Sequence, residues 1–361
     1  MKTTIFHKTH KDLGAKMVQF AGFEMPIQYP KGILAEHNAV RTGVGVFDVS
    51  HMGEFEVRGA DALNFLQKIT INDVSKLAEG KAQYSAMCRP DGGIVDDLLV
   101  YHMGDYYMMV VNGANIDKDF AWAKENTAGF DVELTDKSDE FHLLAVQGPK
   151  SPETLAKLTD APLNDIPYYN FVKGTLAGVD MIISRTGYTG EVGFELYFKA
   201  DEETACRVWS EIFKAGEEFG IEAIGLGARD TLRLEKGYCL YGNDIDDKSN
   251  PLEAGLGWIT KLAKGEFNGS EAIAKVKADG IQRKLVGFKV TGEKFIARPH
   301  YPIMAGGEQI GEVTSGNVSP ALNVGIGLGY VKKEFSEPGT QIEISARGKT
   351  FPAEVVKFPF V

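Results

Sequence analysis

Apolar and polar positions along this chain repeat with two periods, and the texture changes near residue 282. From Ile33 to Arg41, Leu34, His37, Ala39 and Val40 read as the apolar positions of an amphipathic helix that Gly43 ends. Val46–Val49 and Glu54–Val57 read as strands, and Leu63, Leu66 and Ile69 mark a helix over 60–70. A β-meander follows: Ala82–Arg89, a Pro-Asp-Gly-Gly turn, Ile94–His102, a second turn, then Tyr106–Asn112. Asn115–Asn126 is expected to be helical, Phe141–Gln147 a strand, and Ser151 the cap of a helix through Leu158. Asp180–Arg185 and Glu191–Phe198 form a second hairpin around Thr186–Gly190. Helices are expected over Asp201–Phe219 and Gly227–Lys236, stopped by Gly220 and Gly237.

Beyond Gln282, short alternating runs such as Leu285–Val290, Gly325–Val331 and Gln341–Ser345 are separated by Gly and Pro. That spacing predicts a separate all-β module, a small barrel or sandwich, joined through the lysine-containing segment Gly265–Gly280. The chain of 361 residues exceeds one compact core, so two or three domains are expected. The net charge of −11 argues against a nucleic-acid partner, whose phosphates demand a basic surplus. Cys88, Cys206 and Cys239 are too scattered for a disulfide framework or a zinc site, and read as buried free thiols. No apolar run of membrane-spanning length occurs, and the first residues carry no secretory pattern. The expectation is therefore a cytoplasmic protein with no membrane partner.

Familiar catalytic signatures are missing. Gly325-x-Gly327-x-Gly329 lacks the spacing of a dinucleotide fingerprint, and there is no phosphate loop, serine elbow or paired-histidine metal motif. No metal is expected. What stands out are acids inside strands, where aspartate is normally depleted. In Ile94–Tyr101, alternation puts Asp97 and Tyr101 on one face and Asp96 on the other. Asp96 and Asp97 read either as an edge pair with one solvated carboxylate or as a carboxylate facing a polar pocket. Along Val192–Phe198, the set Val192, Phe194, Leu196 and Phe198 opposes Gly193, Glu195 and Tyr197. A glycine there leaves room for a ligand or backbone beside the acid; the bland alternative is an exposed polar face. Arg229 and Arg233 share a helix face and suit either a ligand carboxylate or an ion pair with Asp230 or Glu235. His51, by itself, reads as a satisfied structural histidine.

Taken together, several stretches resemble the aminomethyltransferase family of the glycine cleavage system, the T-proteins. They are Met17–Phe23, Phe47–Met52, Gly92–Tyr101, Thr186–Glu191, Ala228–Glu235, Leu240–Ile245 and Val313–Gly316, in the family's order over nearly the whole chain. The resemblance implies an α+β fold of three domains around a central folate-binding channel, the last a small β-barrel-like module. Residues 1–280 would be the folate-binding region, two interleaved α+β domains with the second at roughly 50–140, and 281–361 the barrel. The implied reaction moves the methylene carbon of an aminomethyl group, carried on the dihydrolipoyl arm of the lipoylated H-protein, to the cosubstrate tetrahydrofolate. Ammonia is released and 5,10-methylenetetrahydrofolate forms.

By the same resemblance Asp97 is the catalytic carboxylate, and Glu195 accepts hydrogen bonds from the pterin. Met52, Tyr84, Tyr101, Asn112, Tyr188, Arg229 and Tyr238 match other positions around folate. Two relatives of the superfamily are alternatives. One is a tetrahydrofolate-dependent demethylase. The other is a non-enzymatic folate-binding protein of iron–sulfur assembly, whose Lys-Gly-Cys-Tyr-x-Gly-Gln-Glu signature is broken here at Lys236–Ile245.

Overall fold

The computed structural model describes residues 1–361, which divide into two compact units. The first comprises Met1–Leu66, Val74–Tyr84 and Leu98–Asp230; the second comprises Gln67–Asp73, Ser85–Asp97 and Thr231–Val361. In chain order, the elements begin with α1 (His7–Asp12), β1 (Lys16–Phe20), β2 (Phe23–Gln28), α2 (Ile33–Thr42), β3 (Gly45–Asp48), β4 (Gly53–Arg58) and α3 (Ala62–Ile69). The meander follows as β5 (Ala82–Cys88), β6 (Ile94–His102) and β7 (Tyr107–Val111), then α4 (Ile116–Glu125), β8 (Glu133–Asp136), β9 (His142–Gln147) and α5 (Ser151–Leu155). Next come β10 (Phe171–Leu176), β11 (Val179–Ser184), β12 (Gly193–Phe198), α6 (Glu202–Gly216), β13 (Glu222–Ala223) and α7 (Leu226–Glu235).

One sheet of the first unit has the order β10-β11-β12-β9-β3-β13. Its apolar face (Val46, Leu144, Val146, Ile183, Phe194, Leu196 and Phe198) belongs to the same core as Ala205, Val208, Trp209 and Ile212 of α6. Those α6 positions recur three and four apart, so one stripe of the helix is buried. Asp201 caps it by accepting from the Thr204 amide at 2.8 Å, and Gly220 turns the chain away in the left-handed region. Burying each large apolar side chain contributes about 1.5–3 kcal/mol. The second sheet has the order β5-β6-β7-β4-β8, and the division between units crosses β5 and β6.

The second unit contains α8 (Ser270–Asp279) and a closed barrel of β14 (Arg283–Val290), β15 (Pro302–Ala305), β16 (Glu308–Val318), β17 (Gly325–Lys332), β18 (Gln341–Ala346) and β19 (Lys349–Val356). The glycines of β17 are packing devices. A Cβ on Gly327 would lie 2.4 Å from Phe288 Cζ, and one on Gly329 2.6 Å from Ile303 Cδ1. The fold is thus mixed α and β with a C-terminal barrel, as expected.

Four local readings need correction. Leu34 of α2 is exposed while Glu36 and His37 are buried, because Glu36 accepts from the amides of Tyr29 (2.6 Å) and Gly225 (2.8 Å). Ser151 is not a cap: it begins α5, which ends at Leu155, and its hydroxyl donates to the Val192 carbonyl. Val192 lies outside β12 and is exposed. The supposed connection Gly265–Gly280 holds α8.

Candidate active site

Strand register explains how the first unit gathers its polar groups. On β6, alternation turns Asp97, Leu99 and Tyr101 to one face. Leu99 pairs with Val110 and Tyr101 with Met108 on β7, which in turn pair with Glu54 and Glu56 on β4. That face therefore carries Tyr101 and Glu54 together. Tyr101 is fully buried, and Glu54 is 1% exposed. The charges that reach Glu54 are of its own sign: burial first, then Asp136 and Glu195, hold its carboxyl well above the usual carboxylate range.

Facing them, β11, β12 and the loop between them supply a hydroxyl cluster. The Tyr101 hydroxyl lies 3.1 Å from Ser184 Oγ, 3.3 Å from Thr186 Oγ1 and 3.1 Å from the Tyr197 hydroxyl. Thr186 Oγ1 donates to Glu195 Oε2. Burial raises the Glu195 carboxyl, while the Thr186 hydroxyl and the Arg229 charge pull it back down. The Tyr101 hydroxyl is thus committed to this network, through which it steadies Thr186 and Glu195.

The room beside Gly193 is filled by protein. A Cβ there would lie 2.4 Å from Gln147 Nε2, and one on Gly187 2.1 Å from Gln147 Oε1. The Gln147 amide donates to the Thr186 carbonyl (3.1 Å) and accepts from Thr189 Oγ1 (2.8 Å). Both glycines admit one glutamine that pins the loop before Glu195. Sequence reading missed Gln147; its only signal was two glycines flanking that loop.

Arg229 stands 4.8 Å above the Tyr188 ring, a cation–π pair on the loop that Gln147 holds. Its charge also reaches Glu195 and His51. Met52 is half-buried directly before β4, Asn112 directly after β7, and Tyr84 on β5. His51 is buried, yet its Nδ1 has no hydrogen-bond partner, so it is not the satisfied histidine expected.

Asp97 and Tyr238 belong to the second unit. Asp96 is fully buried and Asp97 half-buried, so neither is a freely solvated edge carboxylate. Burial, then Asp244 and Asp97, push the Cys239 thiol well above its ordinary value, which places Asp97 within electrostatic reach of that segment. Arg233 is 2% exposed and binds Asp244 at 2.7 Å, the Tyr238 carbonyl at 2.9 Å and Ser315 Oγ at 2.9 Å. Arg233 is thus held inside the fold by Asp244, which removes it as a clamp for a ligand. Glu235 accepts from Ser319 Oγ and the Ala321 amide. All three cysteines are free thiols; Cys88 is buried, Cys206 is half-buried, and Cys239 is half-buried as a residue with its thiol turned inward.

An acceptor-only carboxylate with one oxygen held by a threonine, beside a tyrosine–guanidinium stack, suits a flat ligand rich in N–H donors. No helix is long and apolar enough to cross a membrane.

Comparison with known proteins agrees with these motifs. Residues 6–264 match the GCVT N-terminal domain, and residues 283–361 the glycine cleavage T-protein C-terminal barrel domain. A protein of Halothermothrix orenii named Aminomethyltransferase is 52% identical over 362 residues, covering all of both chains. One of Bacteroides fragilis with the same name is 55% identical, covering 100% of this chain and 99% of its own. The crystal structure of glycine cleavage system aminomethyltransferase T from Bartonella henselae superposes with a TM-score of 0.93 at 33% identity, over 100% of this chain and 98% of that one. The chain belongs to the glycine cleavage T-protein family, the aminomethyltransferases.

Proposed function

We infer that this chain is a tetrahydrofolate-dependent aminomethyltransferase of glycine cleavage. It moves the methylene carbon of the aminomethyl group on the dihydrolipoyl arm of H-protein to tetrahydrofolate, forming ammonia and 5,10-methylenetetrahydrofolate. The observation that carries this is the unbroken full-length likeness to relatives named for that activity. The demethylase and iron–sulfur alternatives gain nothing from it. Residues 1–280 are read as the folate-binding region, two interleaved domains with the second at roughly 50–140, and 281–361 as the barrel domain.

Tetrahydrofolate supplies the accepting nitrogen. Glu195, in its ionised form, accepts the pterin amino group and ring N–H, and the Thr186 hydroxyl fixes its orientation. Tyr188 with Arg229, and Met52, Tyr84, Tyr101, Asn112 and Tyr238, enclose the rings or shape the walls around them. Asp97 is the catalytic carboxylate: its negative charge favours the positive charge that develops on nitrogen during carbon transfer. The partner is the lipoylated H-protein; a local basic patch would be needed if that protein is acidic, since this chain carries −11. The cytoplasm is the proposed location.

The test is direct. The protein is mixed with tetrahydrofolate and aminomethylated H-protein, and ammonia and methylenetetrahydrofolate are followed together. Equal formation of both is expected; folate binding without either product would overturn the assignment.

A further inference from the structure

His51 is 2% exposed, and its Nδ1 meets no hydrogen-bond partner. Buried polar atoms nearly always find one, and an unmet atom in a native fold calls for a ligand, an ion or a water. The aromatic neighbours do not meet the need. Phe20 and Phe23 turn toward the imidazole roughly at right angles, with centroids 5.5 and 6.4 Å away. Burial, then the charge of Arg229, lowers the His51 pKa to about 4, with Asp48 opposing. At neutral pH the ring therefore holds one N–H and one lone pair, and which nitrogen bears the proton is set by its partner.

The surroundings of this ring are those of the proposed folate site. Met52 follows in the chain. A Cβ on Gly113 would lie 2.9 Å from His51 Cδ2, so the backbone after Asn112 runs against the imidazole and only a glycine clears it. The guanidinium whose charge reaches His51 is the one stacked on Tyr188 and acting on Glu195. Glu195, Arg229, Tyr188 and His51 are thus linked by one cation within the first unit.

We propose that His51 is a further ligand-contacting residue of this site, offering Nδ1 to a polar atom of the nitrogen-rich ring system. The inference rests on the folate reading above. It explains why a site otherwise well satisfied keeps one polar atom unmet: the partner arrives with the ligand.

A group unmet in the free protein and met in the complex makes stability and affinity move in opposite directions. The full-length protein is compared with His51→Phe and His51→Gln by thermal unfolding without ligand and by calorimetric titration with tetrahydrofolate. His51→Phe is expected to keep or raise the unfolding temperature while weakening tetrahydrofolate about 10-fold. His51→Gln, which retains a polar atom, recovers part of that loss. In nitrogen-15 spectra of the wild type, the His51 imidazole resonance shifts when tetrahydrofolate is added, whether or not either variant folds. A lowered unfolding temperature with unchanged affinity, or a resonance that ignores the ligand, marks a structural or water-bound histidine and overturns the proposal. A wild type that binds no tetrahydrofolate overturns the folate reading along with it. Normal wild-type binding with an indifferent His51 overturns this inference alone.

Discussion

The hydroxyls of Tyr101 and Tyr197 meet at 3.1 Å although one rises from β6 and the other from β12, strands of different sheets. This contact ties the two sheets of the first unit together and, through Thr186, braces Glu195. Tyr197→Phe leaves three hydroxyls to rearrange in a buried place. It is expected to cost about 1–2 kcal/mol in urea unfolding and to weaken tetrahydrofolate binding severalfold. A variant identical to wild type in both would show that the network does not brace the acid.

Glu54 gives a pH signature. Its carboxyl titrates well above the usual range when folded, because it is buried and faces Asp136 and Glu195. The folded state then binds more protons than the unfolded state, so stability is highest below the ordinary carboxylate pKa and falls as pH rises toward the raised one. Glu54→Gln removes that loss. Thermal unfolding from about pH 4 to about pH 8 is expected to show the variant gaining on wild type as pH rises. A variant less stable than wild type at neutral pH contradicts this.

Gly193 and Gln147 are expected to be coupled. Gly193→Ala drives a methyl into the Gln147 amide, where only 2.4 Å separates the positions, and should destabilise by about 1–3 kcal/mol. Adding Gln147→Ala should return part of that loss, measured as a double-mutant cycle. Simple additivity would mean the clash is absorbed elsewhere.

In the second unit, Asp244 accepts from Arg233, the Leu240 amide and Thr314 Oγ1, all within 2.9 Å. Asp244→Asn leaves the buried Arg233 charge without its counterion. A loss of about 3–5 kcal/mol is expected in chemical denaturation, and a loss near zero would show that water reaches the guanidinium.

What the sequence disclosed, and what it hid, follows the range of the interactions. Helix α6 was legible because Ala205, Val208, Trp209 and Ile212 repeat locally and Asp201 caps them. The C-terminal all-β module was legible from its Gly- and Pro-separated alternation, which left barrel and sandwich open, although the reason for Gly327 is Phe288, thirty-nine positions away. Buried charge on the helices was not legible. Glu36 goes inside because an amide 189 residues distant completes its coordination, and Arg233 because Asp244 folds back onto it. For the site, strand alternation correctly grouped Glu195 with Tyr197 and Gly193, but it could not reveal that Gln147 fills the glycine's space. The reading of His51 failed because residue type says nothing about whether a partner is there.

In the proposed reaction Glu195 holds the pterin while Asp97 serves the carbon transfer. Steady-state ammonia release from aminomethylated H-protein, measured across tetrahydrofolate concentration for Asp97→Asn, Asp96→Asn and Glu195→Gln, tests it most directly. Asp97→Asn is expected to lower kcat by about 10²–10⁴-fold with the tetrahydrofolate KM little changed, and Glu195→Gln to raise that KM with a smaller effect on kcat. Near-normal turnover in Asp97→Asn beside an inactive Asp96→Asn, or an unchanged KM in Glu195→Gln, would contradict it.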